Sequence, residues 1–207
     1  MTSWLGVALL PSADHLLSAI QLQEEIGGEH RLHPALAADG NLPHVTVFQG
    51  PFSDSLDPET VLEKVGRSTA LKEIRLATVG IVYQPTGWVF LSLAKPPLMV
   101  GLQQAALDVL DSHLDRAAFD TAKDTTRFSE SERASFAQYG YRYTGDAYAP
   151  HITLGRAEER IARDVVRTAS ERTSIPAAWV FDRLSVYVMG DHGAHAQTLA
   201  ERALDRT

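Results

Sequence analysis

The 207-residue sequence has no cysteine. That excludes disulfides, a thiolate nucleophile and zinc–thiolate sites. It is short of cations: 19 Lys and Arg stand against 26 Asp and Glu, a formal charge of -7. A surface that coats nucleic acid broadly is excluded on that balance, because a polyanion is repelled overall, although local basic pockets are not. No run approaches the roughly 18 apolar residues of a spanning helix, so no membrane partner is expected. The apolar stretch Trp4–Leu10 is brief, with no basic segment before it and no small-residue cleavage pattern after it. It reads as a first strand and not as a leader. With the lack of cysteine, this points to the cytoplasm. What is present is an ordinary globular balance, 44% hydrophobic and 22% charged, which rules out disorder for most of the chain. The length fits a single domain over residues 1–207.

Strand and helix signals alternate without long linkers. Ser12 stands where a helix cap belongs, and Ala13, Leu16, Leu17 and Ile20 follow at helical spacing up to Gly27-Gly28. A strand over His44–Phe48 is closed by Gly50-Pro51. Asp57-Pro58 has the form of a capped helix start. Ile74–Tyr83 and Trp88–Leu93 read as a hairpin around Gln84-Pro85-Thr86-Gly87. Pro96-Pro97 opens a helix whose apolar stripe runs from Leu98 to Leu114. Residues 120–133 are polar and read as a loop or a short solvated helix. His151–Leu154 is a strand, residues 158–172 are helical, and Arg183–Met189 alternates as a strand. After His192-Gly193 the tail Ala194–Leu204 reads as a final strand or a helix, with a strand favoured at its start. The sum is an α+β fold of antiparallel hairpins with helices packed outside.

One phrase occurs twice. Pro43-His44-Val45-Thr46-Val47 and Pro150-His151-Ile152-Thr153-Leu154 both read Pro-His-aliphatic-Thr-aliphatic. The copies lie about half a chain apart, the pattern of an internal duplication. On a strand, residues two apart share a face. Each copy therefore presents an imidazole and a hydroxyl together, anchored by aliphatics on the opposite face. If the repeats pack about a pseudo-twofold axis, two His and two Thr converge in one groove. A neutral imidazole can take a proton there and an imidazolium can give one, since the ordinary histidine pKa is about 6.5. Threonine hydroxyls can donate to phosphate oxygens. That set suits general acid–base phosphoryl transfer and needs neither metal nor cofactor.

These paired motifs resemble those of the two-histidine (2H) phosphoesterase superfamily, also called the RNA ligase-like or cyclic phosphodiesterase group. The resemblance covers most of the chain. It implies a bilobal, duplicated α+β fold, with two antiparallel sheets and outer helices around a central groove. It implies action on 2′,3′-cyclic phosphates, 2′-5′ linkages or related nucleotide phosphodiesters. It makes His44 and His151 the acid and base, and Thr46 and Thr153 the phosphate binders.

Other residues carry weaker signals. Phe48 lies two residues beyond Thr46 and shares its face; Tyr139, Tyr141, Tyr143 and Tyr148 precede the second motif. Any of them could stack on a base, although core packing is the commoner role. Arg156 follows the second motif and could approach a phosphate, as could Arg142 less readily. His30/His33 and His192/His195 have a spacing that metal ligands use, but no acidic or thiolate partners accompany them, and no metal site is expected. The expected substrate is a small nucleotide or cyclic phosphate. RNA-end processing or 2′-5′ ligation is a second reading, and a non-catalytic nucleotide-binding module a third. Which histidine is the base, and the oligomeric state, are not legible.

Overall fold

The computed structural model describes residues 2–53, 56–69, 72–172 and 174–205. Along the chain these form β1 (Thr2–Pro11), α1 (Ala13–Gly27), β2 (Val45–Ser53), α2 (Pro58–Thr69), β3 (Ile74–Gln84), β4 (Trp88–Leu93), α3 (Pro97–Leu110), α4 (Glu130–Tyr139), β5 (His151–Arg156), α5 (Glu159–Arg172), β6 (Ala178–Met189) and β7 (His195–Ala203). The pairings are antiparallel throughout, in the order β1-β2-β5-β4-β3-β6-β7 with a further β1–β6 contact.

The two separate sheets expected from the duplication are joined into one. Strand β6 is long enough to serve both parts. Its first residues pair with β3 (Ile74 opposite Phe181), and the rest lies between β1 and β7. On the other side, β2 and β5 meet at one residue pair, Val45 opposite Ile152. Strand β1, flanked by β2 and β6, is buried without a break from Leu5 to Pro11. That explains why its sequence is a continuous apolar run and not an alternation. Helices α2 and α3 pack on each other, as do α1 and α5.

Local chemistry explains the ends of the elements. Asp57 caps α2 by accepting from the Thr60 amide at 3.0 Å. Ser12 precedes α1 as expected, but its hydroxyl bonds His15 Nδ1 at 3.0 Å instead of a helix amide. Strand β2 runs past Gly50-Pro51 to Ser53, because Pro51 sits opposite Trp4 in the β1 ladder. Helix α4 begins inside the stretch expected to be polar loop or short helix and runs on to Tyr139. It buries little: Ser135 is its one fully buried residue. A capping box holds it, with the Ser129 hydroxyl accepting from the Glu132 amide while Glu132 accepts from the Ser129 amide. Gly140, at φ 68°, ends it in a left-handed turn.

Two buried glutamines repeat one device. Gln23 on α1 donates to the carbonyls of Pro34 and Leu154 and accepts from the Leu36 amide. Gln103 on α3 donates to the carbonyls of Tyr143 and Val47 and accepts from the Gly145 amide. Each amide thus clamps the loop that leads into one motif and reaches the carbonyl three residues beyond the histidine of the other. Net stabilisation is about 1 kcal/mol per bond, but each buried group left unpaired costs about 1–3 kcal/mol.

Candidate active site

The single β2–β5 pair brings the two motifs together. Val45 and Ile152 are the aliphatics that follow the two histidines, and both are fully buried. In an antiparallel register this sets position 44 against 153 and 46 against 151, all on the face opposite the aliphatics. Diagonal neighbours in such a pair lie roughly 7–8 Å apart, room for one phosphate between two rings. All four motif side chains line one cavity of about 710 Å³. His44 retains 7% exposure, and His151, Thr46 and Thr153 are partly exposed, whereas Val47 and Leu154 are buried. The alternation read from the sequence is therefore the alternation in space.

The two imidazoles share a tautomer. His44 Nδ1 lies 2.8 Å from the carbonyl of Leu42, and His151 Nδ1 lies 2.6 Å from that of Ala149. A carbonyl only accepts, so both Nδ1 atoms carry hydrogen and, in the neutral rings, both Nε2 atoms are lone-pair acceptors. Burial holds the His44 pKa below the ordinary value despite the Leu42 bond. Burial lowers that of His151 to about 4, with His44 and Arg142 adding to the effect. Both rings are thus neutral in the free protein near pH 7.

Their surroundings differ. His151 is stacked on Phe90 at 4.0 Å between ring centroids and meets the edge of Tyr143 at 5.4 Å. His44 faces Tyr187 at 5.2 Å and His195 at 5.6 Å. Around the rim, Arg142 pairs with Glu132 at 2.5 Å and lies over the Phe128 and Tyr143 rings. Arg127 pairs with Glu159 at 3.1 Å. Arg156 donates to the Thr86 carbonyl at 2.8 Å and lies near the Trp88 ring.

Of the weaker candidates, Arg156 does line the cavity, as do Arg142, Tyr141 and Tyr143. Phe48 does not reach it. A β-bulge at Val47 turns Phe48 off the Thr46 face: Phe48 lies opposite Val7 while Thr46 lies opposite Ala8. Phe48 is therefore fully buried among Phe52, Tyr139 and Tyr141, and Gln49 lines the cavity in its place. Tyr148 does not reach it either: it is 2% exposed, and its hydroxyl bonds the Thr46 carbonyl from inside the core. His195 is a strand residue. It opens β7, is fully buried, stacks on Tyr187 at 4.3 Å and bonds the Ser185 hydroxyl. His192 reaches the cavity and meets Trp88 edge-on. Among the described residues no cluster of three or more His, Asp or Glu is placed to hold a metal ion. Phe90, Trp88 and Tyr187 had no motif to announce them, since they come from other strands.

Burial of uncharged imidazoles makes stability depend on pH. His195 is held down to about 3 and His151 to about 4, both by burial, against an ordinary 6.5. Between those values the unfolded chain binds more protons than the folded one, so stability rises with pH and falls on acidification. The denaturant midpoint should fall steadily from pH 6.5 towards pH 4, with the steepness reduced in His195→Gln. A flat profile over that window would contradict the neutral, buried assignment.

A family model described as the 2′-5′ RNA ligase superfamily matches residues 11–193. Among solved structures, the chain is similar to E. coli LigT in its apo form, at 21% identity over 99% of both chains and a TM-score of 0.48. It is also similar to a structure described as a phosphoesterase, at 18% identity over 98% of this chain and 99% of that one, with a TM-score of 0.47. Usb1 of Kluyveromyces marxianus matches at 14% identity over 96% and 97%, with a TM-score of 0.42. No curated protein matches. The family model spans most of the sequence and takes in both histidine motifs, so the chain belongs to the 2′-5′ RNA ligase superfamily, the two-histidine phosphoesterases that its repeated phrase resembles.

Proposed function

We propose that this protein is a metal-independent phosphodiesterase that opens a 2′,3′-cyclic phosphate, or cleaves a comparably small nucleotide phosphodiester, by two-histidine acid–base catalysis. The observation that carries the reading is the shared tautomer: two Nδ1–H groups tied to the backbone, on two rings that line one cavity and keep Nε2 free of any backbone bond. Water attacks phosphorus and one P–O bond of the ring breaks, giving a phosphate monoester and a free hydroxyl. One Nε2 takes the proton of the attacking water; the other donates a proton to the departing oxygen. Thr46 and Thr153 donate to the non-bridging oxygens. An anionic substrate favours the protonated form of a nearby imidazole, which supplies the acid that the free protein lacks at pH 7.

The rim supports a small ligand over a long polyanion. Arg127 and Arg142 are already paired with carboxylates, and Arg156 with a carbonyl. A single bilobal, duplicated domain belongs to the same proposal, and the reciprocal glutamines support it. The test is turnover of 2′,3′-cyclic mononucleotides with and without a chelator. Monoester should form at the same rate in both. Loss on chelation with recovery on adding a divalent cation would indicate metal chemistry instead. Binding of these nucleotides without turnover would favour the non-catalytic module.

A further inference from the structure

We propose that Tyr187 is a positioning residue that favours the imidazolium form of His44, seated by Gly6 and oriented by Gln49. The inference rests on the two-histidine reading for its catalytic meaning, but the interaction itself can be measured without any substrate.

Three neighbouring strands build the seat. Gly6 on β1 lies opposite Tyr187 on β6 and opposite Gln49 on β2. A Cβ on Gly6 would stand 2.4 Å from the Tyr187 ring, so the phenol crosses β1 only because that residue has no side chain. The ring is fully buried, and its face is covered by the stacked imidazole of His195. Its hydroxyl ends 3.1 Å from Gln49 Oε1 and 3.5 Å from His44 Nε2.

The proton count gives the arrangement a direction. A phenol has one hydrogen, and the Gln49 carbonyl oxygen can only accept, so Tyr187 spends that hydrogen on Gln49. Burial also pushes its pKa far up, so the phenol stays protonated. What it offers its other neighbours, the Thr46 hydroxyl and His44 Nε2, is then its lone pairs. His44 Nδ1 is already committed to the Leu42 carbonyl. A neutral His44 sets lone pair against lone pair, which agrees with the long 3.5 Å separation. A proton on Nε2 turns the same contact into an N–H···O bond. The imidazolium form is needed whether His44 begins as the acid or ends as the base.

The other titratable groups facing His44 do not duplicate this. His195 from β7 meets it edge-on, and His151 stands across the cavity on β5. Among the described residues no carboxylate is bonded to His44. His151 is instead stacked on Phe90, and among the described residues its hydrogen bond is the one to the Ala149 carbonyl.

The experiment is an NMR titration of the histidine rings in the full-length protein without substrate, wild type against Tyr187→Phe. The variant keeps the ring stack and loses the oxygen. The His44 pKa should fall by about one unit, a tenfold change in its protonation equilibrium, while that of His151 stays put. Gln49→Leu is the second variant, used also if the first fails to fold. It frees the phenol hydrogen to point at Nε2, favours the neutral ring and should likewise lower the His44 pKa. With a cyclic nucleotide, Tyr187→Phe should lower kcat about tenfold and move the pH profile, with KM within about twofold. An unchanged or raised His44 pKa overturns the proposal, and so does an equal shift at both histidines, which would report general loosening. If His44→Ala keeps full turnover, the functional reading fails instead, and the titration still decides the contact.

Discussion

Replacing His44 or His151 with alanine is expected to lower kcat/KM by about 10²–10⁴-fold, the usual worth of one general acid or base. The loss should come with little change in stability. Each ring's one bond from Nδ1 runs to a carbonyl two residues earlier in the chain, so its removal disconnects no distant elements. The double variant should lose less than the product of the two single losses, since acid and base act in one step. The intact enzyme should show a bell-shaped kcat/KM profile whose two constants belong to the pair. Burial lowers the free pKa of both rings. The base is lost as pH falls through its lowered constant, and the acid is lost as pH rises through its own. The maximum should therefore lie on the acid side of 6.5. Near-wild-type activity in either single variant would remove that histidine from the chemistry, and a maximum above pH 7 would contradict the lowered constants.

Thr46→Val and Thr153→Val should each slow kcat by roughly 10²-fold, the cost of one donor to a developing phosphoryl charge. Valine keeps the branched shape and deletes only the hydroxyl. Both threonines are partly exposed in the cavity while their neighbours Val47 and Leu154 are buried. Little packing is at stake, and the unfolding midpoint should barely move. A hydroxyl that binds substrate and transition state alike would raise KM instead. A rise in KM with kcat intact would reassign the threonines from transition-state donors to ground-state binders.

The most legible parts were those governed by local periodicity. A two-residue repeat sufficed to put His44, Thr46, His151 and Thr153 on one face, because the neighbouring aliphatics had to go the other way. The helix opened by Pro97 was plain from its apolar stripe. Helix α4 was not, because capping and the Arg142–Glu132 pair hold it, and neither leaves a hydrophobic period. Phe48 shows the limit of the same rule: the bulge at Val47 breaks the two-residue repeat, so Phe48 enters the core and Gln49 lines the cavity. His195 follows His192 by three residues but is a core residue, because the turn ends at Gly193 and β7 begins at His195. Phe90 and Tyr187 come from strands far along the chain. Their place beside the two rings depends on register, which no short window of sequence contains.

Gln23 and Gln103 have a consequence for how such a protein could arise. Each glutamine holds the loop before its nearer motif and also braces the strand of the other motif, so either part taken alone would leave one strand carbonyl unbraced. In a twofold homodimer every contact occurs twice with the partners exchanged. The pair of glutamines has that reciprocity inside one polypeptide. Under the proposed duplication, that reciprocity is what an interface between two fused copies of a shorter ancestor would leave, and the reaction centre would stand at what was once a boundary between molecules.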